Sequence, residues 1–281
     1  MSDNTGGFAP PPPPPSAGGG GPIPQRGVGQ ILTTAFEVYK ANAAKLITIV
    51  AIVVVPLALL DAILTKVVWA PKKATVETVL GNHTVYLPRN FFVALSASLL
   101  GAALAFVMSF VVQAAVSRAA AQATVGDVVD TESSYRWGFR HLGSVLLISL
   151  LAGLAIFVGL ILLVIPGLIV IVMLCVVIPA LVFEGKRGTA ALSRSWELVK
   201  GNFWHAAGTI LLAGLIAGVV SGIPTALAGS NWFAYWILSA VGRVITVPFT
   251  ALVAVLLYLD LRARAEALTG DTVRAEIASD A

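Results

Sequence analysis

Charge is what this sequence most lacks. Only 11% of its 281 residues are Asp, Glu, Lys or Arg, against about 25% in soluble domains. With 58% hydrophobic residues and a mean hydropathy of +0.91, the chain has too little polar surface to cover itself in water, so a soluble globular fold is excluded. Cysteine is nearly missing too. The single Cys175 lies inside an apolar run, which rules out an intrachain disulfide and a thiolate metal site. His83, His141 and His205 are scattered, with neither a carboxylate nor a second histidine at ligand spacing, and read as hydrogen-bonding residues near the membrane interface. No metal and no cofactor is expected. There is no Walker phosphate loop, dinucleotide fingerprint, serine-nucleophile elbow or pair of intramembrane carboxylates, which argues against hydrolase and pump alike. The first 25 residues lack the apolar core of a signal peptide, and none is expected.

What the chain does have is apolar runs. Six are legible, at about 46–64, 91–116, 145–165, 168–183, 206–227 and 236–259. Each is near the length of about 20 residues that crosses a hydrocarbon core. The fold expected is therefore all-α and integral to a membrane: six transmembrane helices in a compact bundle. Runs three and four, taken as one helix, would reach about 58 Å, twice the core thickness. Pro166-Gly167 between them is expected to turn the chain, as a type II turn with proline and glycine at its centre.

Three domains follow from composition. Residues 1–26 contain six consecutive prolines and a run of glycines, and should form a disordered tail, either a spacer or a polyproline recruitment site. Residues 27–268 form the membrane domain, and 269–281 a flexible C-terminal tail. Basic residues set the orientation. Arg26, Lys40 and Lys45, then Arg118, Arg136 and Arg140, then Lys186, Arg187, Arg194 and Lys200, and finally Arg262, Arg264 and Arg274 gather on one side, against Lys66, Lys72, Lys73 and Arg89 on the other. The richer side should face the cytoplasm and carry both termini. The net charge of +4 is thus explained by topology, and nucleic acid is not an expected partner.

Segments preceding runs one, three and five resemble one another. Phe36, Tyr39 and Lys40 stand in the first, Tyr135, Arg136, Trp137 and Arg140 in the second, and Arg194, Trp196, Lys200, Phe203 and Trp204 in the third. Aromatic residues three or four apart with basic residues between them suit short interfacial helices whose side chains face lipid. Membrane lipids are therefore the expected partners, with a membrane or cytoplasmic protein as a further one. A generic aromatic belt beside basic loops would leave the same pattern.

The stretch Pro179-Ala180-Leu181-Val182-Phe183-Glu184-Gly185, followed by Ala190 through Trp204 with Leu192-Ser193-Arg194-Ser195-Trp196-Glu197, carries a resemblance. So do the opening Gly29-Gln30-Ile31-Leu32 with Phe36 and Tyr39, and the closing Leu257-Tyr258-Leu259-Asp260-Leu261-Arg262-Ala263-Arg264. Together, over about residues 27–268, they are similar to bacterial membrane proteins grouped as the glycerophosphoryl diester phosphodiesterase membrane domain family. The resemblance implies a bacterial cell-membrane protein, of the kind common in actinobacteria. It does not bring the phosphodiesterase activity, since a catalytic barrel needs about 250 residues and no extramembrane stretch here approaches that.

A few residues remain as candidates. Asp127, Asp130 and Glu132 cluster between runs two and three, as ligands of a membrane transferase or simply as a solvated loop. Asp61 and Arg243 lie inside apolar runs, where a charge costs at least about 2.5 kcal/mol at the centre. By helix rise both reach the same shallow depth, so they either form an ion pair joining the first and last spans or snorkel separately to headgroups. Gly214, Gly218 and Gly222 in run five, and Ala97, Gly101 and Ala105 in run two, give small-residue faces for packing within the bundle or for dimerisation. Pro56, Pro224 and Pro248 interrupt three runs. Three functions stay open: a non-catalytic protein organising lipid or partners at the cytoplasmic face, a small transporter or channel, and a membrane enzyme acting on lipid or a glycerophosphodiester.

Overall fold

The computed structural model describes residues 22–63, 71–78, 81–88, 91–227, 232–266 and 268–279. Most of the expected tail, up to residue 21, lies outside them. Long helices dominate: α1 (Val28–Ile63), α2 (Phe91–Thr124), α4 (Leu142–Leu162), α8 (Phe203–Leu227) and α9 (Trp232–Ala265). Shorter ones are α3 (Thr131–Arg140), α5 (Val164–Met173), α6 (Val177–Glu184), α7 (Thr189–Lys200) and α10 (Gly270–Ser279). Among the described residues five segments are long and apolar enough to cross a membrane: Val28–Leu60, Leu142–Ile161, Val164–Glu184, Phe203–Leu227 and Trp236–Ala265. The expected second span falls on α2, part of whose side chains lie outside the described residues.

The chain is not wholly helical. Strands β1 (Pro71–Thr78) and β2 (Gly81–Pro88) pair antiparallel between α1 and α2, with Val76 opposite His83 and Thr75 opposite Thr84. Alternation with β-branched residues in Thr75-Val76 and Thr84-Val85 favours this ladder in a loop too polar to span.

Helix α9 is the centre of the bundle and packs against α1, α2 and α8. Its buried stretch, Leu252 through Leu261, lies in its C-terminal half, as do Ile31, Ala35, Leu46, Ile49 and Val50 in the first part of α1 and Val111 through Ala121 in the second half of α2. The tight core therefore sits at one end of the bundle. The first described residues and the start of α10 meet there, because the Ile23 N–H donates to Leu268 O at 3.0 Å beside a Pro22–Thr269 bridge. Toward the opposite end, Leu150, Leu154, Phe157 and Ile161 of α4 and Leu211, Leu215, Val219 and Ile223 of α8 are exposed. Apolar side chains turned outward over whole helices are what a lipid solvent requires.

Several boundaries depart from the sequence expectation. Between α4 and α5 the turn is made by Leu163 alone, extended at φ −169° and ψ 149°, while Pro166 and Gly167 sit inside the first turn of α5. Proline is tolerated there because first-turn N–H groups have no intrahelical acceptor to lose. Gly167 serves packing instead of turning. A Cβ on it would lie 2.4 Å from Leu160 Cδ2 and 2.9 Å from Leu160 N, and one on Gly159 would lie 3.0 Å from Gly167 Cα. The fourth span is itself broken at Leu174-Cys175-Val176, between α5 and α6.

The segment holding Phe36, Tyr39 and Lys40 is not a separate helix; it continues into α1 without a break. Ala41, Ala43 and Ala44 are strong helix formers, and nothing between them and Pro56 stops the helix. The C-terminal stretch is not a free tail either. It forms α10, with Val273 and Ile277 buried. Two ordered apolar side chains on one face of a short helix suffice to dock it. Residues 22–26, expected in the tail, are likewise held against the bundle.

Small residues pack where their spacing does not point. Gly214, Gly218 and Gly222 are exposed, and a Cβ on any of them would meet nothing within 4 Å. Helix α8 meets α9 along the neighbouring line instead, where Ala213 is buried and a Cβ on Gly242 of α9 would fall 2.9 Å from Ser221 Cβ. The two small-residue lines of α8 differ by a single residue, so spacing alone does not choose between them. On α2, Ala97 and Ala105 fall outside the described side chains, and Gly101 is half-buried.

Candidate functional site

The end where the first described residues meet α10 is built around charges. Glu184 closes α6, just before Gly185, whose φ of 61° gives the left-handed cap that ends the helix. Its carboxylate accepts hydrogen bonds from the Tyr258 hydroxyl of α9 and from Arg194 Nε of α7, the latter at 2.7 Å. Lys186 Nζ stands 3.2 Å from its other oxygen, and Arg262 Nε 3.6 Å from the first. Arg194 also donates through Nη2 to Glu266. Arg262 presents Nη1 and Nη2 to the two oxygens of Glu276 on α10, at 2.7 and 3.1 Å, in a paired arrangement of the kind guanidinium favours. Four helices and the loop after α6 thus converge on one network.

Spacing explains part of this convergence. Tyr258, Arg262 and Glu266 recur every four residues, so one face of the end of α9 carries them all toward α6, α7 and α10. Tyr258 is buried and stacks on Phe183 at 5.3 Å. Burial lifts the Glu266 carboxyl, but the hydrogen bond from Arg194 and the nearby charges of Arg194 and Arg262 outweigh it, holding Glu266 below its usual range. By the same contacts Arg194 is more firmly protonated despite its burial. Between these groups lies a cavity of about 560 Å³, lined by Phe183, Gly185, Lys186 and the charged residues of the network.

A second cluster lies beside it. Asp260, fully buried, accepts from Arg264 Nε at 2.7 Å and from the backbone N–H of Arg26. Arg264 Nη2 in turn donates to Arg26 O at 2.8 Å, so Asp260 and Arg264 clamp both polar groups of one backbone unit. His205 Nε2 is 2.9 Å from Asp260 Oδ2, at an angle too poor for a hydrogen bond. His205 therefore belongs to this buried cluster as well as to the start of α8.

The expected interfacial residues divide. Trp204 (84% exposed), Phe36 (53%) and Trp196 (41%) face outward, as do Lys40, Lys200 and Arg140. Phe203 is half-buried, edge-on to Trp204 at 5.4 Å, and Lys40 Nζ lies 4.9 Å above the Phe36 ring. Four do not face outward. Tyr39 meets Phe249 edge-on at 6.5 Å, and the Tyr135 hydroxyl donates to Ile49 O of α1. Trp137 is buried, stacked on His141 at 4.3 Å. The cause is Gly138, where a Cβ would sit 3.3 Å from Val111 O; without one, α3 lies directly on the backbone of α2 and buries the face that carries Trp137. Arg194 faces the network described above. Arg136 is exposed but paired with Glu132 at 2.6 Å.

Asp130 caps α3, accepting from the N–H groups of Ser133 at 3.0 Å and Glu132 at 3.3 Å. Those bonds, Ser133 first, depress its pKa. Arg243 is exposed on α9, while the side chain of Asp61 lies outside the described residues, and so does the expected pair between them. Among the described residues no group of three or more His, Cys, Asp or Glu is placed to hold a metal ion. In the sequence, Glu184, Tyr258, Asp260, Arg262 and Arg264 stand out only as parts of a signature. The four-residue spacing along α9 is the signal that could have placed its members in a site.

A helical protein with several apolar helices long enough to cross a membrane and a dense ionic cluster at one end is the class that the fold defines. Within that class, the chain belongs to the family described as "Domain of unknown function (DUF7847)", which matches residues 27–262. That description mentions no glycerophosphoryl diester phosphodiesterase. No curated protein and no solved structure matches the chain.

Proposed function

We propose that this is a non-catalytic integral membrane protein of the bacterial cell membrane that organises lipid, or a partner protein, at its cytoplasmic face. Both ends of the described chain lie on that face in this reading, as do α3 and α7. The resemblance to the membrane region of glycerophosphoryl diester phosphodiesterases agrees with a lipid-associated role. The observation that carries the reading is the ring of exposed aromatics, Trp204, Trp196 and Phe36, beside Lys40 and Lys200, around the end where the core is tightest. Aromatic rings at headgroup depth beside lysines are an anchor for lipid, and Arg194 ties α7, which carries Trp196, to Glu184 and Glu266. Two of the three candidate catalytic carboxylates have structural work: Asp130 caps α3, and Glu132 pairs with Arg136.

In liposomes whose lipids are brominated high on the acyl chain, tryptophan fluorescence should be quenched, and adding Trp196→Phe and Trp204→Phe to a Trp232→Phe, Trp236→Phe background should lower the quenched component further. Native mass spectrometry of the protein released from gentle detergent should then show a retained phospholipid that the double variant loses. Unquenched Trp204 and a bare protein would refute the reading. A second reading, a small transporter, draws on the break at Leu174-Cys175-Val176, since interrupted helices frame many transport sites.

A further inference from the structure

The cavity between α6, α7, α9 and α10 is lined by Lys186, Arg194 and Arg262 and by Glu184, Glu266 and Glu276. Its cations and carboxylates balance, but the elements that carry them differ. Glu184 is fixed by three elements, through Tyr258, Arg194 and Lys186, and Glu266 is fixed by Arg194 and Arg262. Glu276 turns both of its oxygens to Arg262 and rides on the ten-residue helix α10. Lys186 stands on the loop after α6 with its side chain 39% exposed, reaching the same cavity. With Glu276 moved away, three cations would face two carboxylates across a space of about 560 Å³, within the usual range of small-ligand pockets, with Arg262 still beside Glu266 and Lys186 beside Glu184. Planar forks match carboxylate and phosphate oxygens in the same way.

We propose that this cavity binds a phosphate-bearing anion through Arg262 and Lys186, and that Glu276 is the internal carboxylate that occupies the anion's place on Arg262 until the anion displaces it. The inference rests on the membrane-face reading above, which puts the cavity at headgroup depth. Phosphate could arrive there as a lipid headgroup or as a soluble ion, and the chemistry recognised is the same. Displacement of Glu276 frees one anchor of α10 but leaves Val273 and Ile277 docked, and the Arg118 bond to Ile277 O at 2.6 Å intact. The terminal helix shifts; it does not unfold.

The test is calorimetric titration of the full chain in a maltoside detergent, which carries no phosphate, with short-chain phosphatidylglycerol in one arm and inorganic phosphate in the other. Saturable binding in the lipid arm alone identifies a headgroup site, in the phosphate arm alone a soluble ligand, and in both a site for the phosphate group itself. Saturation in neither overturns the proposal. Glu276→Gln should tighten binding about tenfold, because the competitor is neutralised, and Lys186→Gln should weaken it by about the same factor. Glu37→Gln and Lys45→Gln, exposed on α1 and outside the cavity lining, make the same charge changes and should alter nothing. Equal shifts in those controls would show a surface-charge effect and refute the site. Should Glu276→Gln fail to fold, Lys186→Gln on its exposed loop still decides. Lost titration with tryptophan quenching intact refutes the cavity alone, whereas lost quenching with titration intact refutes the lipid anchor alone.

Discussion

Replacing Gly242 by alanine tests how α8 and α9 meet. The new methyl carbon would stand 2.9 Å from Ser221 Cβ and 3.1 Å from Ser221 Cα. Neither atom is the loose end of a flexible side chain, so the helices themselves must separate. Overpacking of this kind costs about 1–3 kcal/mol. Against it stands the conformational advantage of alanine over glycine in a helix, about 0.5–1 kcal/mol. The balance is a loss of about 1 kcal/mol. At Gly214, Gly218 and Gly222 the same change meets open space, so only the gain of about 0.5–1 kcal/mol per site remains. Equilibrium unfolding in mixed micelles with rising SDS should therefore move in opposite directions for Gly242→Ala and for the triple variant. A destabilised triple variant with an unaffected Gly242→Ala would mean that the exposed glycine line is the true packing face, and that Gly242 and Ser221 are not where the two helices touch.

Four further outcomes follow from the same geometry. Gly167→Ala should separate α4 from α5 and cost about 1–3 kcal/mol in the same assay, because Leu160 N is fixed backbone. Ile277→Ala should cost about 2–4 kcal/mol of α10 docking, read as faster proteolysis at the C-terminal end; an unchanged rate would restore the flexible tail. Arg194→Leu removes charged hydrogen bonds to Glu184 and Glu266 and should cost about 1.5–3 kcal/mol each at most, reduced where Lys186, Tyr258 and Arg262 still hold Glu184. Acid should loosen this end first. Glu266 and Asp130 have folded pKa values below their ordinary 4.5 and 3.8, so their contributions are full above those values and vanish as pH falls through the depressed ones. Glu266→Gln should flatten the acid limb of a melting-temperature profile, and an unchanged limb would show that Glu266 does not contribute.

The apolar runs are legible because hydropathy adds along the chain, and the described runs are helical except at Leu163, inside the third, and at Leu174-Cys175-Val176, inside the fourth. What hydropathy does not contain is where two helices touch. The Pro166-Gly167 pair reads as a turn from its dihedral preferences, yet its glycine is there for Leu160, a neighbour that only the folded hairpin supplies. The glycines of α8 read as a packing face from their spacing, but a line one residue over makes the contact. Trp137 looks like its aromatic counterparts Trp196 and Trp204 until Gly138 lets α3 down onto α2. The ionic site is half visible, since Tyr258, Arg262 and Glu266 share a helix face in any α-helical reading of that segment. Their partners Glu184, Arg194 and Glu276 come from other elements, and no periodicity links them.

The clamp on Arg26 has a consequence for how the chain is made. Asp260 and Arg264 seize a backbone unit 234 and 238 residues earlier, and α1 packs chiefly on α9. Translation delivers α1 before α9, so α1 must wait for a neighbour that does not yet exist. Contacts this distant in sequence close late. Until α9 arrives, the bundle has no centre, and α1 lacks the neighbour on which it chiefly packs.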